Sequence, residues 1–163
     1  MLELLDTSLE IRDVTIRHGQ GGLATRNGSL TVTRVVVTEN GLVGTGIGGV
    51  AVRSYATPTT CLVTDSTISN NRGSLFAGGI TVNRIGFAAL TVTVFRSTIV
   101  GNQAGGFTSN GTLVIDECTI ADNSAGDGGG VYTYGGVLTL TRSTVAGNIA
   151  AQGGGVVAGS NGL

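Results

Sequence analysis

A catalytic or ligand-binding site needs particular side chains at particular spacings, and this 163-residue chain offers few candidates. His18 is the sole histidine. Any Ser-His-Asp or Cys-His arrangement would have to be built on it alone, and its place just after Ile16 reads as a solvated turn. Cys61 and Cys118 are the two cysteines; two thiols do not make a zinc site, which takes about four ligands. Gly44-Thr45-Gly46-Ile47-Gly48-Gly49 matches G-x-G-x-x-G, but a dinucleotide fingerprint must open a helix, and strand-like Val50-Ala51-Val52 follows instead. Asp122 and Asp127 flank Asn123 in a glycine-rich stretch where carboxylates and carbonyls could hold Ca²⁺. Their spacing matches neither an EF-hand loop nor the glycine-rich calcium nonapeptide. Asn27-Gly28-Ser29 and Asn110-Gly111-Thr112 are formal glycosylation sequons, yet Asn-Gly is also a turn signal. These residues support no catalytic, cofactor-binding or metal-binding assignment, and no cofactor is expected.

The elements that would have to position such residues are unusual. Charged residues make up 12% of the chain, about half of the roughly 25% expected of a globular domain. Lysine is absent, and the net charge of −1 excludes a strong electrostatic footprint for nucleic acid or an anionic membrane. No apolar run approaches the ~18 residues of a membrane-spanning helix. The start, MLELLDTSLEIRD, lacks the basic and apolar regions of a signal peptide. Thr, Val, Gly and Ser dominate, and apolar residues alternate with polar ones at the period of a strand.

The alternation belongs to an internal repeat, Leu-x-Val-x-x-Ser-Thr-Ile-x-x-Asn in its clearest form. Six copies align on Ile16, Val37, Ile68, Ile99, Ile120 and Val145, separated by 21, 31, 31, 21 and 25 residues. Each is followed by a Gly-Gly pair and an apolar residue: Leu23, Val50, Ile80, Phe107, Val131 and Val156. Constant strands with variable loops are how a solenoid tolerates insertion.

Stacking the copies produces chemically uniform columns. Leu9, Leu30, Cys61, Val92, Leu113 and Leu138 stand seven before the anchor, and Ile11, Val32, Val63, Val94, Ile115 and Leu140 five before. Val14, Val35, Ser66, Ser97, Cys118 and Ser143 stand two before. These three columns and the anchors are predicted to face inward. The two cysteines then lie in different columns two coils apart, about 10 Å or more, beyond disulfide reach. A column of Thr15, Val36, Thr67, Thr98, Thr119 and Thr144 faces outward. Its neighbours are too mixed for the second regular Thr column an ice-binding face requires. Asn40, Asn71, Asn102, Asn123 and Asn148 follow the anchors by three, where stacked amides can form a ladder. The Gly-Gly column predicts a turn needing positive φ or close backbone approach.

Three before the anchor stand Asp13, Arg34, Asp65, Arg96, Glu117 and Arg142. Six charges in one column of so uncharged a chain has a chance on the order of 10⁻⁶, before alternation of sign is required. Neighbours in the column would be about 4.8 Å apart, placing each interior Arg between two carboxylates.

The expected fold is therefore all-β: a right-handed parallel β-helix, or β-solenoid, of about six coils, right-handed because parallel crossovers overwhelmingly are. Residues 1–163 read as one domain, a fragment lacking caps and part of a longer solenoid. Ser160-Asn161-Gly162-Leu163 resembles the start of a further coil at Asn27. Thr119-Ile120-Ala121-Asp122-Asn123 with Gly128-Gly129-Gly130-Val131, and Thr144-Val145-Ala146-Gly147-Asn148 with Gly153-Gly154-Gly155-Val156, resemble the right-handed parallel β-helix repeats of bacterial surface and secreted proteins. They are similar in style to the repeats of chlamydial polymorphic outer-membrane proteins, with Ile or Val where those carry Phe.

That resemblance implies an extracellular or cell-surface location and a noncatalytic structural or adhesin-type role. The implied partners are glycans, host or cell-surface proteins and adjoining coils of the parent chain, with neither nucleic acid nor membrane insertion. The alternative is part of a polysaccharide lyase or glycoside hydrolase, or a carbohydrate-binding β-helix, since the fold resembles that of pectate lyases and polygalacturonases. Those enzymes need clustered carboxylates, whereas Glu39, Asp116, Asp122 and Asp127 fall in different columns or loops. Arg26 and Arg53, with Tyr132 and Tyr134 farther along, could form an exposed stripe that contacts a sugar chain.

Overall fold

The computed structural model describes residues 1–41, 47–74 and 77–159, and among them every regular element is a strand. The strands form two large parallel sheets and one small one. The first large sheet contains eleven strands and the second six. The six are the three-residue strands Thr15–Arg17, Val36–Thr38, Thr67–Ser69, Thr98–Val100, Thr119–Ala121 and Thr144–Ala146, stacked in chain order. Their registered partners include Ile16 on Val37, Val37 on Ile68, Ile68 on Ile99, Ile99 on Ile120 and Ile120 on Val145. All six repeat copies thus meet on the residues chosen as anchors. Parallel pairing between segments so far apart is what a solenoid requires.

The eleven-stranded sheet takes one strand from each of the first two copies and two from each of the third to sixth, with a last strand after them. In the first two copies a single eleven-residue strand, Leu2–Arg12 or Leu23–Thr33, runs unbroken to the next corner. In the third copy it divides into Val50–Ser54 and Thr59–Thr64 around a loop containing Pro58. Pro supplies no amide hydrogen, so the ladder cannot run through it. The first half of Leu23–Thr33 pairs with Val50–Ser54 and its second half with Thr59–Thr64. Part of the longer spacing is absorbed here, outside the core columns.

In the middle copies the inward columns are buried as the periodicity predicts; in the first and last they are only partly buried, and Val14, expected to face inward, is exposed because no coil precedes it among residues 1–13 to cover that corner. Leu30, Cys61, Val92 and Leu113 form one row, and Val32, Val63, Val94 and Ile115 the next, all nearly or fully inaccessible. They join the anchors and Val50, Ile80, Phe107 and Val131 in one core. The column two before the anchor departs from an apolar row. Ser66 Oγ accepts the Val35 N–H, Ser97 Oγ the Ser66 N–H and Ser143 Oγ the Cys118 N–H, at 3.0–3.1 Å. The strand ladder has lapsed at this corner, so the hydroxyls take up backbone donors that would otherwise be buried unpaired.

The Gly-Gly column is explained by close approach. A Cβ on Gly79 would lie 2.2 Å from the Gly106 carbonyl oxygen, far inside contact distance. Positive φ is instead concentrated at two corners. Asp13, Arg34, Asp65, Arg96, Glu117 and Arg142 all have φ of 44–58°, before the three-residue strands. His18, Glu39, Asn70, Gly101, Asp122 and Gly147 have φ of 53–65°, after them. Each short strand is bracketed by two left-handed residues, which turn the chain sharply without a hairpin.

Candidate functional site

The polar side chains of the solenoid collect at these two corners. After the second corner comes the asparagine column, and it forms a continuous ladder. Asn40 Nδ2 donates to Asn71 Oδ1, Asn71 to Asn102, Asn102 to Asn123 and Asn123 to Asn148, at 2.9–3.1 Å. The backbone N–H of each donor asparagine also reaches the same acceptor oxygen. The other Nδ2 hydrogen goes back one coil, as from Asn102 to the Ile68 carbonyl at 2.9 Å. Asn40, Asn71, Asn102 and Asn123 are fully buried, and bonding on both sides is what makes that burial tolerable.

The charge column also lies in one row, but the expectation that each Arg bridges two acids is corrected. Arg34 grips Asp13 through Nε and Nη2 at 2.6 and 2.8 Å, and Arg96 grips Asp65 in the same way at 2.7 and 2.9 Å. Arg142 reaches Glu117 and also Asp116. The row is therefore three discrete pairs, each Arg holding the acid of the preceding coil. A guanidinium committed in bidentate fashion to one carboxylate has its two parallel donors aimed the same way. Toward the next coil only a weaker Coulombic attraction remains, as between Arg34 and Asp65. The hydrogen bonds from Arg34 and Arg96 hold the Asp13 and Asp65 carboxyls below their ordinary range. Arg96 also lies over the Phe95 ring, 4.2 Å from its centroid.

The remaining sequence candidates sort clearly. Asn27 is buried in a turn, with φ of 60° followed by Gly28 at 81°. Its Nδ2 donates to Asp6 Oδ1 at 2.7 Å and its Oδ1 accepts the Tyr55 N–H at 2.9 Å, so this sequon is occupied as a structural turn. Asn110 is likewise bonded through both amide atoms to the Arg84 backbone. Asp122 lies at the second corner, whereas Asp127 pairs in register with Gln152; no group of three or more potential metal ligands occurs among the described residues. Cys61 and Cys118 are free and buried, and burial pushes the Cys61 thiol up to about 12. Gly44, Thr45 and Gly46 of the G-x-G-x-x-G string and residues 160–163 lie outside the described residues.

Arg26 and Arg53 are registered neighbours, as expected. The Arg26 guanidinium lies 5.1 Å from the Tyr55 ring centroid and 3.5 Å from Glu3. Tyr132 and Tyr134 stack on each other at 5.8 Å and 26°, and burial raises the Tyr134 hydroxyl pKa.

One concavity gathers several functional groups. It measures 390 Å³ and is lined by His18, Glu39, Asn40, Gly41, Asn70 and Arg72. His18 Nε2 and Glu39 Oε2 are 2.8 Å apart. His18 and Glu39 were considered separately from sequence; their contact depends on consecutive coils placing the second corner in register. Asn70 and Arg72 were missed. The signal for Asn70 was present, since Asn, Asp and Gly recur two after the anchor and tolerate a left-handed backbone.

Compared with known proteins, the chain matches across residues 2–163 the family described as right handed beta helix region. No curated protein and no solved structure matches it significantly.

Proposed function

The chain belongs to the right-handed β-helix family, and on that premise we propose that it is a noncatalytic structural segment, of stalk or adhesin type, in a bacterial surface or secreted protein. One observation carries this reading: the polar side chains recur as links between coils. The asparagine ladder, the serine hydroxyls and the three ion pairs each tie one coil to the next. Side chains arranged this way resist separation of coils along the axis. They are poorly placed for catalysis, which needs groups free to exchange protons or grip a substrate.

The test is incubation of the purified protein with pectins, alginate and other polysaccharides, with and without Ca²⁺, following release of reducing or unsaturated ends. No turnover is expected. Turnover that disappears on replacing Glu39, Asp122 or Asp127 would overturn the reading in favour of a polysaccharide lyase or glycoside hydrolase.

A further inference from the structure

We infer that the bend of the long sheet in the third and fourth copies is a self-association surface, on which two copies of this chain pair about a two-fold axis, with Phe87 and Arg84 of each seated against Leu5 and Asp6 of the other. The inference goes beyond the scaffold reading, because it joins chains rather than coils.

The surface has a step. In the first two copies the long sheet bends at Asp6 and Asn27, with φ of 53° and 60°, inside unbroken strands. In the third and fourth copies the chain leaves the sheet at the same place, between Ser54 and Thr59 and between Arg84 and Leu90. In the fifth only Asn110 and Gly111 intervene. The two inserts therefore stand out as a ridge beside the recess of the first two copies. A two-fold axis through the step, normal to the rod, sets the fourth copy of one chain over the first of the other and the third over the second. Each ridge then fills the other chain's recess, as an isologous interface requires.

The ridge is held rigid. Asn27 Oδ1 accepts the N–H groups of Tyr55 and Ala56 at 2.9 and 3.3 Å, and Asn110 bonds the N–H and carbonyl of Arg84. The asparagines of the two Asn-Gly turns thus clasp the inserts from both sides. Within the ridge, the Ile85 and Gly86 N–H groups both reach the Ser54 carbonyl, and Ser54 Oγ donates to the Thr57 carbonyl at 3.1 Å. A Cβ on Gly86 would lie 1.9 Å from the Tyr55 carbonyl oxygen, so the two inserts stack on each other closely. A tip fixed in this way has little freedom left to lose on association.

The ridge is apolar at its tip and carries one sign of charge. Phe87 is fully exposed, and Ile85 and Tyr55 are exposed in the same two inserts. Aromatic and aliphatic side chains offered from a rigid surface are the anchors of protein interfaces. Residues 40–64 and 66–115 contain no acid, so the ridge has Arg53 and Arg84 without a carboxylate of its own. The Arg84 guanidinium is engaged by no other described residue. The recess has the opposite sign. Its first copy presents Glu3 and Asp6 on either side of Leu5, which is exposed and shares a register column with Arg26 and Arg53. Asp6 gives one oxygen to Asn27, which leaves the other for Arg84. The two-fold arrangement therefore brings Arg84 to Asp6, Phe87 to Leu5 and Tyr55 to Arg26. Side-by-side pairing with the rods parallel would instead face Arg84 with Arg84, which like-charge repulsion disfavours.

The test is sedimentation equilibrium of the purified chain over a range of concentrations, where a monomer–dimer equilibrium is expected. Phe87→Asp should raise the dissociation constant at least about tenfold, with the circular dichroism of the folded solenoid retained. Val36→Thr, which removes an exposed apolar side chain away from the ridge, should leave the equilibrium as it was. Orientation is read by mixing Leu5→Cys and Phe87→Cys chains under oxidation, the native Cys61 and Cys118 being buried. Disulfides should form between the two variants in preference to either variant with itself. A monomer at every concentration, a dimer untouched by Phe87→Asp, or cross-links formed chiefly between two Phe87→Cys chains would each overturn the proposal. Polysaccharide turnover is a separate measurement, so this surface and the scaffold reading can fail independently.

Discussion

Two rows run the length of the solenoid on either side of the three-residue strands, one of buried amides and one of exposed charges. Both recur with the same spacing, yet the asparagine row is continuous and the charge row breaks into pairs. The difference lies in the side chains. A carboxamide is donor and acceptor at once, so each copy can bond the next and be bonded by the previous one. An Arg and an Asp complement each other but not themselves, and the bidentate grip of Arg34 on Asp13 is directed to one side. Burial separates the rows further. A broken amide bond in the interior strands a polar group, whereas a broken surface ion pair is rescued by water.

Substitutions at matched copies test this contrast, and the largest effect should come from charging the ladder. Asn102→Asp replaces the amide that donates to Asn123 Oδ1 and the Ile68 carbonyl with a buried carboxylate facing acceptors. Denaturant unfolding at pH 7 should show a loss of about 3–5 kcal/mol, the range for an uncompensated buried charge. Burial raises the pKa of such a group, so the loss should shrink as pH falls and the carboxyl takes up a proton. A loss no greater than that of Ala would show the ladder to be wetter than its burial indicates.

Asn102→Ala comes next, at about 1–3 kcal/mol, the cost of leaving buried partners unsatisfied. Hydrogen exchange should rise first at the Asn71 amide, whose acceptor is Asn102 Oδ1. Uniform acceleration across all copies would mean that the ladder does not act locally.

In the charge row, Arg96→Glu should be milder than either change at Asn102 and should weaken toward 1 M salt, where the screening length is about 3 Å. Reversing all six charges together should restore most of the loss, because opposite signs again face each other. If the reversed row were less stable than the single variant, the pairing would not explain the alternation.

The smallest effect should appear in acid. Asp13 and Asp65 have folded pKa values depressed mainly by hydrogen bonds from Arg34 and Arg96. Their contribution is therefore present above the unfolded carboxylate pKa of about 4 and is lost as pH falls through the lower folded values. Replacing both Arg residues with Gln should flatten the pH dependence of thermal melting below about pH 4; an unchanged profile would assign that dependence to other acids.

The asparagine ladder was legible because its residues share one type, one spacing and one burial. The charge row was legible as a row but not as pairs, because column spacing says nothing of the direction in which a long side chain commits both its donors. The hydroxyl ladder through Ser66, Ser97 and Ser143 lay concealed in a column headed by Val14 and Val35. A small side chain there fits an apolar core equally well until the unpaired backbone N–H groups at the corner are located. Arg72 had no periodic signal at all.

The sequence by itself determined the parallel stack, its coil-by-coil register and its inward columns. Those follow from strand periodicity repeated at long range, and a slip of one residue would turn every apolar side chain to water. The tertiary structure alone decided that His18 meets Glu39, that Asn70 and Arg72 join them around one groove, and which acid each Arg holds. These are matters of a few ångströms between side chains on different coils, fixed by left-handed corners and by competition among donors, and neither is written in the spacing of residue types along the chain.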